Sequence, residues 1–128
     1  MVIPDRRGTV LTMSAGEVVT RQVEAYNAAD LGAFLACYAP SVVIRAGDGT
    51  VLNEGLDAMR ATYAGWFGSL PGLHAEIVRR LERGSWVVDE EHVTATDLDV
   101  RALVAYRVRD GLIDQVVIMT DEDVSPAD

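Results

Sequence analysis

Two carboxylates, Asp89 and Glu91, stand two residues apart in "WVVDEEHVTA", residues 86–95, a segment otherwise built for a strand. Side chains alternate across a strand, so Val87, Asp89, Glu91, Val93 and Ala95 share one face, and Trp86, Val88, Glu90, His92 and Thr94 share the other. A carboxylate facing an apolar space has its charged form disfavoured by lost hydration. That moves its pKa toward the range where it takes or gives a proton near neutrality. An arginine opposite acts the other way, and the preceding segment supplies one in either register. A three-residue turn (Arg83, Gly84, Ser85) sets Arg79 against Asp89 and Ile77 against Glu91; a two-residue Gly84-Ser85 turn sets Arg80 against Asp89. The chemistry this suggests is a division of labour. Glu91 is the general acid or base, Asp89 with Arg79 forms an orienting ion pair, and Tyr63 or Tyr106 donates a hydrogen bond to a substrate oxygen. The competing reading is a satisfied buried network that touches no substrate. Glu90 and His92, on the opposite face, read as polar surface pairs.

Other chemistry finds little support. Cys37, the single cysteine, lies in an apolar helical stretch and reads as a small buried hydrophobe. With only His74 and His92 beside it, no structural zinc pattern can be assembled, and no metal site is expected. Gly47, Asp48 and Gly49 lack the spacing of a nucleotide loop and read as a tight turn. Acids outnumber bases 20 to 11, giving a net charge of −9 that repels phosphate backbones and anionic lipid, so neither nucleic acid nor membrane is expected as a partner. Every basic side chain other than histidine is arginine. No window approaches the roughly 18 apolar residues of a spanning helix, and a soluble, cytoplasmic protein is expected.

The elements that position these residues follow from pattern. A chain of 128 residues with 49% hydrophobic content fits one domain. Residues 1–13 read as a loosely held extension and 121–128 as an acidic tail, leaving 14–120 as the body. "SAGE" at 14–17 is a capping box opening a helix to about Ala28, with a buried stripe of Val18, Val19, Gln22, Val23 and Tyr26. Asp30 caps a second, short helix that Pro40 ends. "VVIRAGDGTVLNEG" reads as a short hairpin. A third helix from Leu56 to about Gly68 places Leu56, Met59, Tyr63, Trp66 and Phe67 on one face. Strands at 73–83, 85–96, 99–109 and 112–120 complete an α+β domain with helices packed on one face of a curved antiparallel sheet. Strict alternation in the first of them puts Leu73, Ala75, Ile77 and Leu81 on one face and His74, Glu76, Arg80 and Glu82 on the other.

"VTRQVEAYNAADLGAFLACYAPSVVI", "GLDAMRATYAGWF", "LHAEIVRRLERGSWVVDEEHVTA" and "LVAYRVRDGLIDQVVIM" together resemble the nuclear transport factor 2-like superfamily, in its SnoaL-like, steroid Δ-isomerase-like branch. The resemblance spans about residues 15–120. It implies a cone-shaped, cystatin-like α+β barrel, a curved sheet wrapped around a long helix, an apolar pocket at one end, and usually a homodimer formed across the sheet. It also implies that Asp89 and Glu91 face the pocket. Gln22, Tyr26, Trp66, Phe67, Arg79, Val104, Tyr106 and Ile118 then become candidate substrate contacts beside Tyr63. The departures are specific. Ketosteroid isomerases carry a tyrosine on the first helix and two aspartates on strands, where this chain has Gln22, Ala46 and Val104; only Tyr63 matches one of their pocket tyrosines. The Asp-Arg-Asp set of limonene-type epoxide hydrolases is likewise absent: Glu91 and Val93 stand where its arginine and first aspartate would be, and Ile118 where its second aspartate would be.

The expectation is therefore a small-molecule pocket protein without a cofactor. It would act as an acid–base isomerase, dehydratase or cyclase on a small apolar oxygenated molecule. The alternative is a non-catalytic hydrophobic-ligand-binding or dimeric interaction domain.

Overall fold

The protein is described by a computed structural model that covers residues 2–4 and 10–121, with side chains from residue 13 onward. Val2–Pro4 (β1) and Val10–Thr12 (β2) pair as a small antiparallel ribbon, so part of the expected extension has regular structure. The expected acidic tail, save Asp121, lies outside the described residues.

Ser14 opens α1 (Ala15–Asn27) through the reciprocal capping box: Glu17 N donates to Ser14 Oγ at 3.1 Å and Ser14 N donates to Glu17 Oε1 at 3.0 Å. Its buried side carries Val18, Val19, Gln22 and Val23, so one amide is placed in an otherwise apolar face. At the other end, Asn27 Oδ1 accepts from Ala75 N at 2.7 Å and its Nδ2 donates to Ala75 O at 3.0 Å, satisfying backbone groups of an edge strand that has no strand on that side.

Asp30 caps α2 (Leu31–Leu35) by accepting from Ala33 N. The helix stops well before Pro40. Strand β3 (Tyr38–Ala46) starts almost at once, and Pro40 lies in a bulge where residues 39–42 stand opposite Asp114 alone. A missing backbone N–H costs nothing where no ladder bond is due. The 47–50 turn joins β3 to β4 (Val51–Glu54), and α3 (Leu56–Ser69) follows. Of the aromatic face expected on α3, Met59 alone is fully buried, and Trp66 is 40% exposed.

The long strands are β5 (His74–Arg83), β6 (Trp86–Ala95), β7 (Leu98–Arg109) and β8 (Leu112–Thr120). The sheet runs β4-β3-β8-β7-β6-β5 and is antiparallel except between β3 and β8, which are parallel. The β5–β6 join is the two-residue Gly84-Ser85 turn, so Arg80, not Arg79, stands opposite Asp89. The alternation expected in β5 also breaks, because Ile77 and Arg79 pair with consecutive residues Glu91 and Glu90, leaving Val78 as a one-residue bulge. Beyond the bulge the faces exchange: Arg80 turns inward, and Leu81 turns out to 71% exposure. The core lies between α1, α2 and the inner sheet face, with Val19, Phe34, Val42, Ile44, Met59, Val87 and Ile113 nearly inaccessible.

Candidate functional site

Inner-face residues of β3, β6, β7 and β8 meet α1 and α3 around a cavity of about 140 Å³. Its wall is apolar over Val93, Val100, Ala102, Val104, Val116 and Ile118, with Tyr26, Phe34, Tyr63 and Trp66 opposite. Trp66, on this wall, is partly exposed.

A chain of polar groups crosses its floor. Tyr38 Oη donates to Gln22 Oε1 at 2.8 Å, Gln22 Nε2 donates to Tyr106 Oη at 3.4 Å, and Tyr106 Oη donates to Glu91 Oε2 at 2.6 Å. Four elements supply these groups: β3, α1, β7 and β6. All four side chains are buried, Glu91 at 8% exposure. Burial pushes the Glu91 carboxyl up from 4.5 to about 7; the Tyr106 hydrogen bond opposes this, the Asp89 charge adds to it and the Arg80 charge opposes it. Burial, followed by the Glu91 charge, holds the Tyr63 hydroxyl up at about 12, and the same burial raises Tyr26, Tyr38 and Tyr106, so all four phenols stay protonated at neutral pH.

Asp89 takes a different place from the one expected. It is fully buried and off the cavity wall, gripped by Arg80 through Nε to Oδ1 at 2.7 Å and Nη2 to Oδ2 at 2.8 Å. Arg80 Nη1 reaches on to Gly16 O at 3.0 Å and to Thr20 Oγ1. The ion pair thus ties β5 and β6 to the first turns of α1. Arg79, expected as its partner and as a substrate contact, is instead 82% exposed beside Glu90 at 3.4 Å. Phe67 also leaves the wall: it packs against Tyr26 with ring centroids 5.5 Å apart and against Phe34 at 5.6 Å, behind the cavity. Gln22, Tyr26, Tyr63, Trp66, Glu91, Val104, Tyr106 and Ile118 do come together on the wall. On the outer face His92 meets Asp99 at 2.7 Å.

Tyr38 joins the cavity wall, a place the sequence does not give it, because Pro40 reads as a helix stop and puts Tyr38 in the second helix. The signal available was parity: Tyr38, Val42 and Ile44 occupy even positions of one strand and all are buried. Cys37 is buried, its Sγ near Ala33 O at 3.5 Å. Among the described residues no group of three or more His, Cys, Asp or Glu side chains could hold a metal, and no helix is long and apolar enough to cross a membrane.

Chemically, the cavity offers one carboxylate that can exchange a proton near neutrality and hydroxyl donors at two levels of commitment. The Tyr106 proton is spent on Glu91. The Tyr63 hydroxyl makes no hydrogen bond within the described residues, so it is free to serve a ligand.

The SnoaL-like domain pattern matches residues 19–116, most of the chain. No curated protein matches. Among solved structures, an uncharacterised cystatin-fold protein from Novosphingobium aromaticivorans is 27% identical with a TM-score of 0.77, covering 84% of this chain and 98% of its own. A structure from Kribbella flavida, itself only proposed to be a ketosteroid isomerase, is 17% identical with a TM-score of 0.71, covering 89% of this chain and 82% of its own. A proposed polyketide cyclase from Sinorhizobium meliloti is 17% identical with a TM-score of 0.69, covering 83% and 99%. At such identities the last two speak for the fold alone.

Proposed function

This chain belongs to the SnoaL-like domain family, and we propose that it is a small-molecule pocket protein in which Glu91 trades a proton with a small, largely apolar, oxygen-bearing ligand. The observation that carries this reading is the Glu91 carboxyl itself, buried at the cavity wall with its pKa raised to about 7. A group so poised is populated in both protonation states at neutral pH, which is what a general acid–base needs. In the proposed step Glu91 accepts a proton from ligand carbon or oxygen and returns it at another atom, with no net change in the protein. Tyr63 donates to the ligand oxygen that gains charge meanwhile. Isomerisation, dehydration and cyclisation all have this form. No cofactor enters the scheme.

Glu91→Gln keeps an acceptor for the Tyr106 hydroxyl and removes the exchangeable proton. Turnover of small cyclic ketones and enol ethers should fall by at least about a hundredfold, while the melting curve still shows one cooperative transition. Undiminished turnover in a folded Glu91→Gln protein would refute the assignment. Ligand binding without turnover, unaffected by the substitution, would select a non-catalytic carrier; the apolar majority of the wall favours that second reading.

We also propose that a second copy covers the outer sheet face. Leu81, Val88, Ala105 and Val117 are successive cross-strand partners there, and Leu81 is 71% exposed.

A further inference from the structure

The two inner acids of β6 are not equally compensated. Asp89 has the Arg80 guanidinium on both oxygens. Among the described residues Glu91, two residues along on the same face, makes no ion pair and takes one hydrogen bond, from Tyr106 to Oε2, while Oε1 receives none. The groups facing Glu91 are Asp89 from β6, Arg80 from β5 behind Asp89, Tyr106 from β7, Tyr38 from β3, Gln22 and Tyr26 from α1, and Tyr63 from α3. Among the described residues no arginine or histidine lines the cavity, and the chain has no lysine. A buried carboxylate with one bare oxygen and an open cavity before it calls for a positive partner from outside.

The rest of the wall says what kind. Tyr63 is the hub of a cluster of rings, 4.8 Å from Phe34 at 49°, 6.4 Å from Tyr26 at 71° and 6.3 Å from Trp66 at 47°. Rings inclined to one another in this way present π density from several directions, and that density attracts cations. A hard metal ion is a poor occupant, since it wants several oxygen ligands where the wall offers one carboxylate. Alkylated nitrogen suits the apolar remainder. The volume, about 140 Å³, matches a group the size of one small ring or a trimethylammonium head. The net charge of −9 draws cations toward the molecule.

We infer that the cavity takes a small tertiary or quaternary amine cation, its nitrogen held between the Glu91 carboxylate and the rings of Tyr26, Tyr63 and Trp66. The inference rests on the cavity being a ligand site; it does not require that Glu91 catalyse. An amino alcohol or amino ketone would add an oxygen for the Tyr63 hydroxyl.

The experiment is calorimetric titration of the full chain with choline and with its uncharged carbon isostere, 3,3-dimethylbutan-1-ol. Choline cannot lose its charge, so any pH effect on its binding belongs to the protein. Choline should bind at least about tenfold more tightly than the isostere at about pH 8. The preference should shrink several-fold at about pH 6, where Glu91 holds its proton. Glu91→Gln should cut the preference several-fold and abolish its pH dependence, leaving the part the rings supply. Trp66→Leu, at a partly exposed position that tolerates change, should weaken choline binding about fivefold without affecting the isostere. Equal affinity for both compounds would overturn the cation assignment and leave the cavity as a ligand site. Binding of neither would overturn both readings.

Discussion

At the scale of single residues, Glu91 makes a claim about stability as well as chemistry. Its carboxyl moves from 4.5 to about 7 on folding. Between those values the folded chain binds a proton that the unfolded chain has given up, so stability falls as pH rises through the window. The full loss is about 3 kcal/mol at most. Glu91→Gln lacks the term. Its melting temperature relative to the parent should therefore climb between about pH 5 and about pH 8, by several degrees for a domain of this size; a gap that stays flat with pH would show that Glu91 titrates normally. The pairing of Asp89 and Glu91 on one face was legible from alternation alone. That Asp89 meets an arginine was legible as well; which one, Arg79 or Arg80, was not, because that depended on the length of one turn. Tyr38 was lost for a related reason: a proline two residues on stops a helix and is equally at home in a strand bulge.

At the scale of elements, the decisive feature is the single extra residue Val78 in β5. Boundaries of the four long strands were readable to within about two residues, since turns and β-branched runs mark them locally. A bulge leaves no such mark, and it reverses every side chain beyond it. The parallel β3–β8 pairing was equally hidden, because alternation does not record strand direction. The exchange that Val78 causes can be tested through Arg80, which joins β5, β6 and α1. Arg80→Met strands a fully buried carboxylate and should cost about 3–5 kcal/mol in chemical denaturation. Adding Asp89→Leu should restore most of that loss, since a matched apolar pair leaves no buried charge uncompensated. Arg79→Met should leave the transition where it was, given its 82% exposure. A large cost at Arg79 and none at Arg80 would mean that the strand is in the other register.

At the scale of the whole molecule, the scaffold and its chemistry come apart. The family fold is present throughout residues 19–116, yet Gln22, Ala46 and Val104 stand where the resemblance places ketosteroid isomerase groups. The fold was legible because capping, turns and periodicity agree along the whole chain. The chemistry was less so, because it rests on a few side chains that any sheet of this shape can exchange. One property belongs to the sheet as a whole. Its inner face is filled by α1 and the cavity, while the outer row Leu81, Val88, Ala105, Val117 crosses four strands, with Leu81 exposed and the other three half-buried. A stable pairing of copies covers roughly 800 Å² on each partner, and a continuous apolar row at the middle of a broad sheet face is a suitable centre for such a patch. Sedimentation at about 10 µM should then give a dimer, and Leu81→Lys combined with Val88→Lys should give a folded monomer, because charged side chains at the patch centre cannot be desolvated without partners. Inner-face ligand binding should survive in that monomer, as neither residue lines the cavity. A parent protein that sediments as a monomer would leave the outer row without an occupant and remove the dimer from the account.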